Sequence, residues 1–386
     1  MTSAAEAVLD ERVRVERVRQ ARLETLRTTG PAAELVAKLA GDRLNAAESD
    51  LRVLVDKAGT PVPAVQFRHR VTRVVDVQAA ADRVGTEALA LAVGVLARHF
   101  ALDANACAQA DDLIAWLAGK IDRRYRRPTV PGGEDALHRG ADIIRRRVPD
   151  YGDWDLPIMA HELGHVVAAG LRPWDARADQ ILRPVEDWLS RFDGARRQQA
   201  GELFSDVFAT YVLGPSYPCA MIVHRLNPQA AATADTRASH PGDASRAHAC
   251  LWTLKQMRGG GELHAYDDII LKLTSLWSDL QTDADQRARL SAEDQQQLIN
   301  DLGGCWAAMT SHLSALAYQW SGRVFELMDR LTEITNTDPE NGTPADVLNA
   351  AWLAKVDALL GRGRPVVEAL FTTLLTSALK RSVPAT

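Results

Sequence analysis

The chain is expected to be mainly α-helical, on three features of its sequence. Alanine, leucine, arginine and aspartate dominate its 386 residues. Apolar residues return at spacings of three and four through most of the chain, and the strict alternation of half-buried strands is scarce. A chain of this length buries a substantial core without disulfide or metal staples, so any metal it holds is expected to serve another purpose than stability.

Residues 3–28 read as a charged amphipathic helix ended by "TTGP", and Pro31 is placed to start a second helix through about Lys57. The two are expected to form a helical hairpin able to recruit a protein partner. "AGTPVP" breaks the pattern at 58–63, and two or three further helices run to about residue 122. The composition then changes at "DRRYRRPTVPGGEDALHRG", residues 122–140, which marks a boundary or a flap. A second break, "QMRGGGELHAYDD" at 256–268, reads as a hinge before about four more helices between 265 and 382. These breaks divide the chain into an N-terminal helical region at 1–125, a central core at 126–260 and a C-terminal helical region at 261–386. A small edge β element is expected at "ADIIRRRV", residues 141–148, a stretch that could equally end a helix.

A net charge of -5 excludes a whole-chain nucleic-acid footprint. The arginines around Tyr125 form too short a cluster to change that expectation. Cys107, Cys219, Cys250 and Cys305 lie far apart with no C-x-x-C pair, which excludes a thiolate zinc site or a compact disulfide framework. The N-terminus has charges where a signal peptide needs an apolar run, and "ALALAVGVLA" at 88–97 is far too short to span a membrane. The expected setting is the cytoplasm.

The chemistry is concentrated in "DWDLPIMAHELGHVVAAG", residues 153–170. Asp155 is placed to cap a helix, Pro157 is tolerated in its first turn, and Gly170 suits its C-terminal end. On that helix His161 and His165 lie one turn apart on one face, so both imidazoles can reach one ion. Glu162 stands beside them, able to take a proton from water. The third ligand is expected in the next strong helix pattern, "ARRQQAGELFSDVFATYVLGPSYP", which ends at Gly214 and Pro215. There Glu202 and Asp206 share a face. Glu202 would complete a two-histidine, one-glutamate set, and Asp206 would accept a hydrogen bond from the distal nitrogen of a zinc histidine. Downstream, "ASHPGDASRAH" offers His240 and Arg246, suited to an oxyanion and its surroundings. Tyr211 and Tyr217 could donate to that oxyanion or simply pack, and Trp154 reads as a packing anchor.

Taken in order, "HELGH", "ELFSDVFA" and "SHPGDASR" resemble the three-motif signature of gluzincin metallopeptidases of the HtpX and CAAX prenyl protease type. The resemblance implies one zinc per chain on His161, His165 and Glu202, Glu162 as general base and Asp206 behind the ligands. It also implies His240 and Arg246 in the active site, a zincin-like core flanked by helices, and a protein or peptide substrate. It covers about a quarter of the chain. This sequence departs from the family in lacking transmembrane helices and in the 37 residues from His165 to Glu202, a shorter step than in the membrane members. Two other readings use the same residues: a helical interaction protein with a structural or inactive metal site, and a zinc hydrolase of non-peptide amides.

Overall fold

The computed structural model describes residues 86–99 except 88, isolated positions before them, and 106–383 apart from 139–141, 148–151, 170–178, 231–239, 259–262, 282–287 and 334–341. The expected N-terminal hairpin lies outside these residues. The chain is mainly helical. After a helical stretch at 89–99, α1 (Ala106–Ile121) leads into three short strands, β1 (Thr129–Gly132), β2 (Ala136–His138) and β3 (Ile143–Arg147). The helices α2 (Ile158–Ala169), α3 (Asp179–Leu189), α4 (Gly194–Leu213), α5 (Ser216–Ala220) and α6 (Asp243–Met257) come next. The C-terminal part then provides α7 (Leu263–Leu280), α8 (Ala292–Leu313), α9 (Arg323–Thr332), α10 (Pro344–Leu359) and α11 (Glu368–Ser382), one helix more than the apolar spacing suggests. None of the described helices is long and apolar enough to cross a membrane.

The sheet order is β1-β3-β2. The stretch expected at a sheet edge is therefore a strand, but the central one. Its burial explains this: Ile143, Ile144 and Arg146 are buried, as befits a strand paired on both sides.

The chain divides into two compact units, and the division differs from the three regions expected. One unit contains residues 1–103 with 130–134 and 138–145; in it Leu91, Val130 and Ile143 form a small core, joined by Val95. The other contains 104–129, 135–137 and 146–386, so the motif helices and the C-terminal helices share one body. Aromatic packing is the reason. Trp154, just before α2, meets Trp352 of α10 edge-on at 5.1 Å and Phe371 of α11 at 4.7 Å. Its indole N–H donates to Glu368, and the Lys355 ammonium sits 3.9 Å above its ring. Trp154 is thus the anchor expected of it.

Two features fix the end of α4 and the turn into α5. Gly214 ends the helix at φ 70°, where an added Cβ would lie 2.5 Å from the Tyr318 ring, so glycine is needed for both conformation and space. Across the break, buried Asn349 of α10 accepts from the Ser216 amide at 2.7 Å and donates to the Leu213 carbonyl at 2.8 Å, satisfying backbone groups that the turn leaves without helical partners. α10 itself starts on a capping box, Thr343 and Asp346 bonding each other's backbone amides.

Candidate metal centre

Helix α2 is buried on nearly every side, so its polar residues must find partners inside the protein. The close approach of α4 makes this feasible. At Gly164 an added Cβ would stand 2.9 Å from the Ser205 Cα, so only a glycine lets the two helix backbones run this near each other. That contact places Glu202, one turn before Asp206 and near Ser205, against the two histidines. We expect Gly164→Ala to force the helices apart at a cost of about 1–3 kcal/mol, read as a lowered midpoint in thermal unfolding. An unchanged midpoint would show that α4 yields without strain.

His161 and His165 share a face as their spacing predicts, and Glu202, the expected third ligand, lies with them. The two Nε2 atoms are 3.2 Å apart. The Glu202 carboxylate spans them, one oxygen 3.3 Å from His161 Nε2 and the other 3.2 Å from His165 Nε2. Ligand atoms about 2.0–2.1 Å from one tetrahedral zinc would stand about 3.3–3.4 Å from each other. The convergence is therefore of the size that one ion requires.

Behind the ligands lies a closed hydrogen-bond network. His161 Nδ1 is 3.0 Å from Asp206 Oδ1 and 2.9 Å from the Tyr217 oxygen. The Tyr217 hydroxyl donates to the same Asp206 oxygen at 2.5 Å. With its phenolic hydrogen given to Asp206, Tyr217 can only accept from His161, so Nδ1 carries a proton and Nε2 faces Glu202 and His165. Arg246, on α6, donates to both Asp206 oxygens at 2.7 and 2.9 Å. Asp206 and Tyr217 are fully buried, and neither Tyr217 nor Tyr211, which bonds the Ser314 carbonyl, is placed to meet an oxyanion.

The electrostatics favour a positive charge among the ligand atoms. Burial works against a charged His161, yet the Asp206 and Glu202 carboxylates hold its pKa up at about 9. Burial would raise Glu202 and Asp206, but the histidines pull Glu202, and Arg246 with His161 pull Asp206, far below the ordinary carboxylate range. In the bare protein a proton meets that demand; a metal ion would displace it.

Glu162 behaves differently. The residue is 4% exposed, and its Oε2 is buried without a hydrogen-bond partner. Burial raises its pKa; the histidines partly offset this, and Asp135 and Glu202 add to it. Asp135 belongs to a second charge cluster: Arg225, at the end of a π-helical turn, reaches Asp135 at 2.8 Å and Asp155 at 2.9 Å. Asp155 thus serves Arg225 and is not the cap of α2, which is entered instead through a 3-10 turn at Gly152–Asp155. His240 stands at the rim, 63% exposed with Nε2 3.5 Å from a Glu202 oxygen. Arg246 is in the cluster as expected, but its guanidinium is held by Asp206, which makes it a positioning residue. Tyr125, the one aromatic among the clustered arginines, is buried and is not available for stacking on a base.

Comparison with protein-family models, with curated proteins and with solved structures gave no match.

Proposed function

We propose that the chain is a zinc-dependent peptidase of gluzincin type, with His161, His165 and Glu202 holding one zinc. The observation that carries this reading is a two-histidine, one-glutamate triangle of zinc dimensions with a buried, unpartnered glutamate oxygen beside it. A structural site has no use for such an oxygen, whereas a hydrolytic one needs a base. Zinc bound there would supply Lewis acidity to a carbonyl and acidify water.

The chain's own residues supply the rest. Glu162 takes the proton of the attacking water and returns it to the leaving nitrogen. Its raised pKa brings it closer to the ideal for that exchange. His240, solvent-open at the rim, donates to the oxygen on which charge develops. Asp206 and Tyr217 hold His161 in the tautomer that presents Nε2, and Arg246 holds Asp206. The outer strand β2 comes directly after Asp135, whose charge reaches Glu162, which gives an extended substrate backbone an edge to join.

Elemental analysis of protein purified without added metal is the test. About one zinc per chain is expected, strongly reduced in folded Glu202→Ala, with hydrolysis of unstructured peptides removed by chelation and restored by zinc. A zinc-free wild type that takes up none on reconstitution would overturn the reading. Zinc without peptide cleavage but with hydrolysis of small amides would move it to a non-peptide amidohydrolase.

A further inference from the structure

Helix α6 serves two sites. Arg246 points from it to Asp206, while Ala244, His248 and Leu251 line a separate cavity of about 490 Å³. At 100° per residue the three lie within about 60° of one another and Arg246 roughly opposite, so the cavity is on the far side of α6 from the histidines. Its other walls come from α7 and from the start of α8, with Trp277 and Leu290 the largest apolar contributors and Arg289 exposed among them. The volume falls in the range of about 300–1,000 Å³ usual for small-molecule sites.

The lining is chemically one-sided. Trp277, Leu251 and Leu290 make an apolar floor suited to a flat hydrocarbon body. Among the described lining residues the one formal charge is the Arg289 guanidinium, which has no ion-pair partner among the described residues, and none of them is a carboxylate. Burial and Lys255 lower the pKa of His248, so it adds no second positive charge to the lining beside Arg289.

We propose that this cavity is a second binding site, for a small organic anion with an aromatic or apolar body, the anionic group on Arg289 and the body on Trp277. The site is independent of the zinc reading. Calorimetric titration of the full chain with 2-naphthoate, 2-naphthamide and inorganic phosphate tests it. Naphthoate is expected to bind one per chain and at least about tenfold tighter than the neutral amide, because only the acid satisfies Arg289. Phosphate alone, lacking the body, is expected not to compete. Arg289→Ala, at an exposed position, should reduce naphthoate to the affinity of the amide, while Glu202→Ala should leave it unchanged. No binding of naphthoate, equal affinity for acid and amide, competition by phosphate, or insensitivity to Arg289→Ala would each overturn the proposal. So would loss of binding in Glu202→Ala, which would put the carboxylate on the zinc ligands instead.

Discussion

Glu162→Gln is expected to keep its zinc and lose peptide hydrolysis by about 10²–10⁴-fold. The two parts of that result have separate causes. Glutamine matches glutamate in size, so α2 keeps its packing, and residue 162 is not among the converging ligand atoms of His161, His165 and Glu202. The amide cannot accept and return a proton, so the step that needs a base loses it while the metal stays. The loss should appear in kcat more than in KM, because the base acts in the transition state. The pH profile gives an independent check. A base must be ionised, so activity rises with pH through the Glu162 pKa, which burial raises and a bound zinc would lower. Wild type should therefore show an acid limb that any residual activity of Glu162→Gln lacks. Full activity in Glu162→Gln would remove Glu162 from the mechanism. Loss of zinc in the same variant would instead make it structural.

The pairing of His161 with His165 was legible because it depends on local geometry alone, whereas Glu202 was named from a second helix pattern and the motif resemblance. A spacing of four on a helix puts His161 and His165 on one face, and the same spacing relates Glu202 to Asp206. The facing of α2 and α4 was less visible, although Gly164 marks the place where the helices can come so close. Tyr217 was not legible as a partner of His161. It lies past the Gly214 break, in a different helix from Asp206, and no periodicity relates a residue after a turn to one before it. The same limit hid the Arg225 cluster, where a π-helical turn meets Asp155 and Asp135 from two other segments. Asp155 has the chemistry of a helix cap, but a buried carboxylate beside an arginine gains more from the charge pair than from backbone amides. The C-terminal helices read as a separate region because periodicity shows which face of a helix is apolar and not what covers it. Trp352 and Phe371 are covered by Trp154, roughly two hundred residues away in sequence.

Asp206→Ala should be the most destabilising single change at the centre, by about 3–5 kcal/mol, although Asp206 is not among the proposed zinc ligands. Its carboxylate is fully buried and receives Arg246 twice, Tyr217 once and His161 once, so removing it orphans Arg246 and the Tyr217 hydroxyl together and leaves His161 only Tyr217. The largest penalty comes from Arg246, a side chain only 14% exposed whose guanidinium would be left without its partner. It has one alternative: Glu202 Oε2 lies 4.0 Å from Arg246 Nη2. Drawn toward that oxygen, the arginine would compete with the metal for its carboxylate ligand, so zinc affinity should fall beyond the usual loss of about 10–100-fold for an outer hydrogen-bond partner. Arg246→Met added to Asp206→Ala should therefore restore part of the stability and part of the zinc affinity, because it removes the uncompensated charge and fills the space with an apolar chain. In a double-mutant cycle from chemical denaturation the pair should then be strongly non-additive. Additive losses would mean that Arg246 and Asp206 act separately, and that the arginine works on substrate rather than through the carboxylate behind His161.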